Sequence, residues 1–251
     1  MKKLNIYYSK EFYNEYGKYA IMDPGTVKLG DIIDYKHFEV VGSLSDLDIV
    51  FTEKVKNDNP DAEPIYKSKD IKMGDLSAEA KDIVRFGVRF SSDHSLFLST
   101  KGSKIVSIAE DNLGKKNLGK QIISKFEQGK WEKDWIVVTE LEFAQKAIII
   151  LSNGKNAEIE LKTDGGQPLA VGEVIKANLS FGSESSIGFR YIMPEGDYRS
   201  VLFKAKAIDK SFFGKPKFTP RKFMPPVDAD MFGGEMSEEY LKEFVWEDYI
   251  P

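Results

Sequence analysis

The sequence predicts an α+β fold: a twisted, mainly antiparallel β-sheet with hairpins and a few packed helices. Three observations lead there. Apolar and polar residues alternate over several short runs, the period of half-buried strands. Turn signals such as Pro24-Gly25 and Asn153-Gly154 separate those runs, as hairpins require. Helical spacing is confined to a few stretches, so antiparallel strands dominate.

In chain order, Ser9 to Gly17 reads as a short helix, with Ser9 as N-cap and Gly17 as its stop. Val27 to Ile33 and Phe38 to Val41 read as short strands. Asn57 to Glu63 and Pro64 lack an apolar period and hold two prolines, so an exposed loop is expected. From Ile83 the period becomes two, with Val84, Phe86, Val88 and Phe90 on one face. Ser95 to Thr100 and Lys104 to Ala109 follow, divided by a turn at Lys101-Gly102-Ser103. A helix is expected over Asn112 to Gln128, where Leu118, Ile122 and Phe126 recur at four-residue spacing and Gly129 ends the run. Trp135 to Phe143, Lys146 to Leu151 and Ala157 to Lys162 read as strands, the last two as a hairpin about Asn153-Gly154. After Asp164-Gly165-Gly166, strands are expected over Val171 to Phe181, Ile187 to Met193 and Arg199 to Ile208, with Gly182 to Ser186 as a loop. Ile175, Leu179 and Phe181 share one face; Ile187, Phe189 and Tyr191 share another.

Composition narrows the chemistry. The 251 residues carry 36 basic and 40 acidic side chains, a net charge of −4, and a mean hydropathy of −0.36, the values of a soluble globular protein. The absence of cysteine excludes disulfides, thiolate metal sites and a cysteine nucleophile. Two histidines, His37 and His94, leave little for a metal centre, and no cofactor is expected. The first residues lack the apolar core of a secretory signal, and no run approaches the ~20 apolar residues of a spanning helix. A cytoplasmic location is the expectation. No nucleophile elbow, phosphate loop or zinc-binding helix motif is present, so no catalytic residue is assigned. The Asp93-His94 pair reads as part of a turn. The acidic balance argues against nucleic acid as a partner.

Two features stand out. The first is the set of amphipathic strands arranged as hairpins near 83–109 and 171–193. Such segments suit a half-solvated sheet, and ~9–11 alternating residues also suffice to cross a bilayer inside a closed barrel. The candidates for that role are Val84, Phe86, Val88, Phe90, Leu96 and Leu98 in the first, with Ile175, Leu179, Phe181, Ile187, Phe189 and Tyr191 in the second. The second feature is the C-terminal end. Residues 213–236 form an expected exposed linker, with four of the ten prolines between Phe213 and Gly234. Residues 237–251 hold an acidic amphipathic helix presenting Tyr240, Leu241, Phe244, Val245 and Trp246. From Val227 onward eight acidic residues face one lysine, a local charge of −7, which leaves +3 on Met1 to Pro226. The linker also offers cleavage candidates: Asp230 closes a caspase-like stretch, and Arg221-Lys222 suits a trypsin-like protease.

The order of pieces resembles the pore-forming domain of the gasdermins, most nearly their small bacterial members. Glu15 to Pro24, followed by Lys28-Leu29-Gly30-Asp31, is similar to the family's short helix, first strand and LGD-type segment. Trp135-Ile136-Val137-Val138-Thr139-Glu140 is similar to its aromatic-x-V-V-T-E strand, and Arg199 to Lys206 to its late strand. Piecewise, the resemblance runs over residues 10–210. It implies a non-enzymatic cell-death effector of bacterial antiviral defence, cytoplasmic and autoinhibited by its C-terminal tail. Proteolysis would release it to form a homo-oligomeric pore at the inner face of the cell membrane. Its partners would be that activating protease and membrane lipids. The N-terminal cysteine that many bacterial members lipidate is absent. On residues 1–212 as the pore-forming-like domain, the alternative expectation is a binding or immunity-type module using its sheet surface. A hydrolase built on His94 and nearby serines stands as a third.

Overall fold

The computed structural model describes residues 2–76, 85–109, 117–163, 174–175, 179–209 and 216–220. These form strands β1 (Lys2–Lys3), β2 (Ile6–Tyr7), β3 (Tyr19–Ile21), β4 (Asp31–Asp34), β5 (Glu39–Ser43), β6 (Glu53–Asn59), β7 (Ile65–Lys67), β8 (Ile71–Leu76) and β9 (Arg85–Phe90). They continue with β10 (Leu96–Lys101), β11 (Ser103–Ile108), β12 (Trp135–Ala144), β13 (Lys146–Ser152), β14 (Glu158–Thr163), β15 (Leu179–Ser185), β16 (Ile187–Met193), β17 (Arg199–Asp209) and β18 (Lys217–Pro220). Helix α1 is Lys10–Tyr16 and α2 is Leu118–Glu127. The mainly antiparallel sheets with two helices among the described residues match the expected class.

Both helices end where their sequences dictate. The Ser9 hydroxyl accepts from the Phe12 N–H at 3.0 Å, and left-handed Gly17 donates its N–H to the Tyr13 carbonyl. Asn117 caps α2 by accepting from the Lys120 N–H at 3.0 Å, so this helix starts at Leu118; residues 112–116 of the expected helix lie outside the described ones. Gly119 weakens helix propensity but admits β18: a Cβ there would stand 3.2 Å from Cβ of Phe218.

Three sheets organise the strands. The body sheet runs β1-β5-β4-β12-β17-β3-β2, with β11 beside β12, β6 beside β11 and β18 beside β17. The middle sheet is β7-β10-β13-β16 and the tip sheet is β8-β9-β14-β15. Among the described residues, three apolar clusters hold them. One joins α2, through Ile122, to Ile32, Val137 and Ile208 of the body. A second packs Phe12 of α1 on Leu96, Leu98 and Ile149 of the middle sheet. A third packs the other face of the middle sheet (Phe97, Ile148, Ile150) on Val88, Phe90, Ile159 and Leu161 of the tip sheet. Burying each such side chain contributes ~1.5–3 kcal/mol.

Several local expectations are corrected. Lys101-Gly102-Ser103 and Asn153-Gly154 are not hairpin turns: β10 does not pair with β11, nor β13 with β14. At both places the chain leaves one sheet for the next. The stretch 57–64 is not all loop, because Asn57 to Asn59 pair with Ser103 to Ile105. The exposed, polar β6 has no apolar period because solvent covers its side chains while β11 satisfies its backbone. Gly182 to Ser185 belong to β15, and the bend is confined to Ser186 (φ 54°). The strand expected from Val171 begins at Leu179, and Ile175 sits buried in a turn; residues 164–173 and 176–178 lie outside the described ones. Lys217–Pro220, at the head of the expected linker, is an edge strand on β17.

Candidate functional site

The twelve strands β6 to β17 reduce to four. β6, β7 and β8 form one segment (53–76), and β9, β10 and β11 the next (85–108). β12, β13 and β14 form the third (135–163), and β15, β16 and β17 the fourth (179–209). Every sheet orders them identically, first to fourth. The molecule therefore contains one antiparallel four-strand ribbon, bent twice. The first and second segments pair antiparallel, as do the third and fourth, and in the tip sheet Leu76 faces Arg85 and Thr163 faces Leu179.

Its central pair is unusual. Ser107 faces Glu140, Lys101 faces Lys146, Leu96 faces Leu151 and Phe86 faces Leu161. That is one register carried through both bends without a slip, between the second and third segments. The outer pairs do slip. Phe97 faces Lys67 in the middle sheet, whereas Phe90 faces Ile71 in the tip sheet, so the first segment is three residues shorter at that bend.

Hydrogen bonds cross the ribbon at each bend. At the bend between body and middle sheets, Gly102 donates to Ala62 O, Gln145 to Lys101 O and Gly196 to Gln145 O, at 2.8–3.0 Å. Left-handed Gly102 (φ 74°) turns the second segment there. Beside it lie buried charges. Glu142 accepts from Lys18 and, at 2.7 Å, from the Tyr66 hydroxyl, while Glu140 takes Lys56 at 2.6 Å and Lys204 at 2.9 Å. Burial pushes the Tyr66 phenol up, and the Glu142 charge pushes the same way. For Glu140, burial works to raise the carboxyl, but bonds from Lys204 and Lys56 hold it below its ordinary value.

The bend between middle and tip sheets is a serine-rich belt. Asp70 accepts from the Ser92 N–H (2.8 Å) and the Ser95 hydroxyl (2.9 Å). Ser152 accepts from the Ser95 N–H at 2.8 Å and donates to Ser92 O at 3.0 Å. His94 makes a turn (φ 55°), and its carbonyl accepts from the Tyr7 hydroxyl. The serines of this belt bond one another and Asp70, in an arrangement that joins strands. The alternating hydrophobic pattern hid this belt, because its Ser, Asp and His residues read as a turn.

Of the membrane-strand candidates, Val88, Phe90, Leu96, Leu98 and Ile175 are buried, and Leu179, Phe181, Ile187, Phe189 and Tyr191 are half-buried. Phe86 lies on β9, paired with Leu161. They do not share one surface. Val88, Phe90, Leu179, Phe181 and Ile187 join the cluster between middle and tip sheets, whereas Leu96, Leu98, Phe189 and Tyr191 join the cluster under α1. Ile187 is thus parted from Phe189 and Tyr191, a consequence of the irregular register between Leu151 and Ser152. Val84, the cleavage candidates Arg221, Lys222 and Asp230, and the tail face Tyr240, Leu241, Phe244, Val245 and Trp246 lie outside the described residues.

The four stretches that carried the resemblance converge on β12. Its Val138 carbonyl accepts from Gly30 N–H, Glu140 binds Lys204 of β17, Glu142 binds Lys18, and Tyr19 stacks on Phe203 at 4.9 Å. No described helix is long and apolar enough to cross a membrane, which says nothing of strands. No family model matches the chain, and no curated protein matches it in sequence. Among solved structures it is similar to a bacterial gasdermin from Bradyrhizobium tropiciagri, at 12% identity and a TM-score of 0.34, over 83% of this chain and 88% of that one.

Proposed function

We propose that this chain is a non-enzymatic membrane pore former, held inactive by its C-terminal segment and released by proteolysis between residues 221 and 236. The observation that carries the reading is the twice-bent ribbon. Four antiparallel strands, each far longer than the ~9–11 residues that cross a bilayer, are already ordered and paired. An even number of strands per copy lets copies join edge to edge with antiparallel pairing throughout, and ring closure leaves no unpaired backbone in lipid. The convergence of the gasdermin-like stretches on one strand supports the same reading.

The test is dye release from anionic liposomes, using full-length protein with a specific protease site placed in the 221–236 stretch. Intact protein is expected to be inert. Cut protein is expected to release dye and to elute as large assemblies. Equal inertness before and after cutting, with a stable monomer or dimer throughout, would overturn the proposal in favour of a partner-binding module.

A further inference from the structure

The two outer edges of the middle sheet, β7 and β16, are unlike. On β7, Ser68 donates its N–H to Leu96 O and Pro64 O accepts from Thr100 N–H, both at 3.0 Å. Pro64, Tyr66 and Ser68 thus turn their backbone toward β10, and Ile65 and Lys67 turn theirs outward. At Lys67 both outward groups meet one side chain. The Tyr16 hydroxyl of α1 donates to Lys67 O at 3.1 Å and accepts from Lys67 N–H at 3.2 Å. A paired strand would run about 4.8 Å from β7, and the Tyr16 phenol stands in that lane. At β16, among the described residues, only β13 is paired, and the outer edge carries no strand.

Tyr16 is the last residue of a seven-residue helix, and rings hold it in place. Its centroid lies 4.8 Å from that of Phe12 and 5.2 Å from that of Tyr66, the latter edge to face. Tyr66 in turn donates to Glu142, the partner of Lys18. A bare strand edge is a template for another chain, and covering it prevents that pairing. The two edges also suit each other. Tyr66 of β7 and Phe189 and Tyr191 of β16 pack against the same cluster, so a β16 laid beside β7 continues one aromatic face. The body sheet offers no such match: there the outer edge of the fourth segment is taken by β3 at Leu202 and Phe203 and by β18 from Lys206 to Asp209.

We infer that the outer edge of β7 is the docking site for β16 of a second copy, and that the Tyr16 hydroxyl keeps this edge closed in the resting protein. One oxygen does for Lys67 what a neighbouring strand would do, and a second copy displaces it by supplying its own backbone. The contact is heterologous, β7 of one copy on β16 of the next, so it repeats from copy to copy until a ring closes. This inference rests on the pore-forming reading and specifies the edges by which copies add and the residue that must leave.

Two experiments test it on the full-length chain. Tyr16→Phe deletes the oxygen and keeps the ring. In uncut protein, amide exchange at Lys67 is expected to rise about tenfold, with that at Ser68, which bonds Leu96, unchanged. After cutting, the variant is expected to assemble on anionic liposomes about tenfold faster than the parent, a gain that a purely structural tyrosine would not give. A tether tests the converse. Glu15 of α1 and Lys69 beyond β7 line one cleft, and the chain has no cysteine, so Glu15→Cys with Lys69→Cys can be joined by a reducible bis-maleimide. Tethered, cut protein is expected to stay monomeric, and reduction of the linker to restore assembly. Assembly of Tyr16→Phe no faster than the parent, or of the tethered protein before reduction, would overturn the inference and leave the pore reading standing. A cut parent that neither assembles nor releases dye would overturn both.

Discussion

Glu140 and Glu142 stand two residues apart on β12, each nearly buried and each paired with lysine. Removing one partner of such a pair strands the other charge where water cannot solvate it. Glu142→Gln is therefore expected to cost ~3 kcal/mol, read from urea unfolding, while Glu142→Leu with Lys18→Met recovers much of the loss. Glu140 makes a pH prediction. Its folded carboxyl is held below the unfolded value, so its contribution is fully present above about pH 4.3 and is lost as pH falls through the lower folded value. Unfolding series from pH 7 to pH 3 should show a flatter acid limb for Glu140→Gln than for the parent. An unchanged acid limb would mean that other carboxylates govern acid unfolding. The sequence showed Thr139-Glu140-Leu141-Glu142 only as a strand with alternating polarity. That those glutamates are buried followed from lysines 84 residues earlier, 64 later and 124 earlier in the chain, Lys56, Lys204 and Lys18.

At the scale of elements, local signals read best where a bond partner lies within a few residues. Ser9 and Gly17 bound α1 and Gly129 stops α2 as read, because caps and left-handed stops are satisfied locally, whereas the Asn117 cap of α2 was not read from the sequence. In the helix expected over 237–249, Leu241, Phe244 and Val245 fall at i, i+3 and i+4 and share a face. If both Leu241 and Phe244 are covered, each contributes ~1.5–3 kcal/mol, and losing both raises the undocked fraction by about two orders of magnitude or more. Leu241→Asp with Phe244→Asp should make uncut protein leak liposomes, whereas Glu238→Gln with Glu239→Gln should change it little. A double mutant that melts early yet never permeabilises membranes would reduce the tail to a structural role.

For the whole molecule, the proposed pore formation makes charge set the first encounter with a membrane. Losing the −7 end leaves a body of +3, and each basic residue near an anionic leaflet contributes about 1 kcal/mol. Going from 0.1 M to 1 M salt shortens the screening length from about 10 Å to about 3 Å. Dye release by cut protein is therefore expected to slow at high salt and on neutral liposomes. A rate indifferent to both would show that apolar insertion alone drives binding. By itself, the sequence determined the class of fold, both helices and the alternating strands, since period and capping are properties of neighbouring residues. It also determined the excluded thiol chemistry and the opposed charges of body and tail. Only the tertiary structure decided that twelve strands are one ribbon of four, that apparent hairpin turns are bends between sheets, and that apolar residues of one pattern face different layers. A turn residue specifies that the chain changes direction. Which strand it meets afterwards is set by pairing with segments dozens of residues away, through contacts that leave no local period.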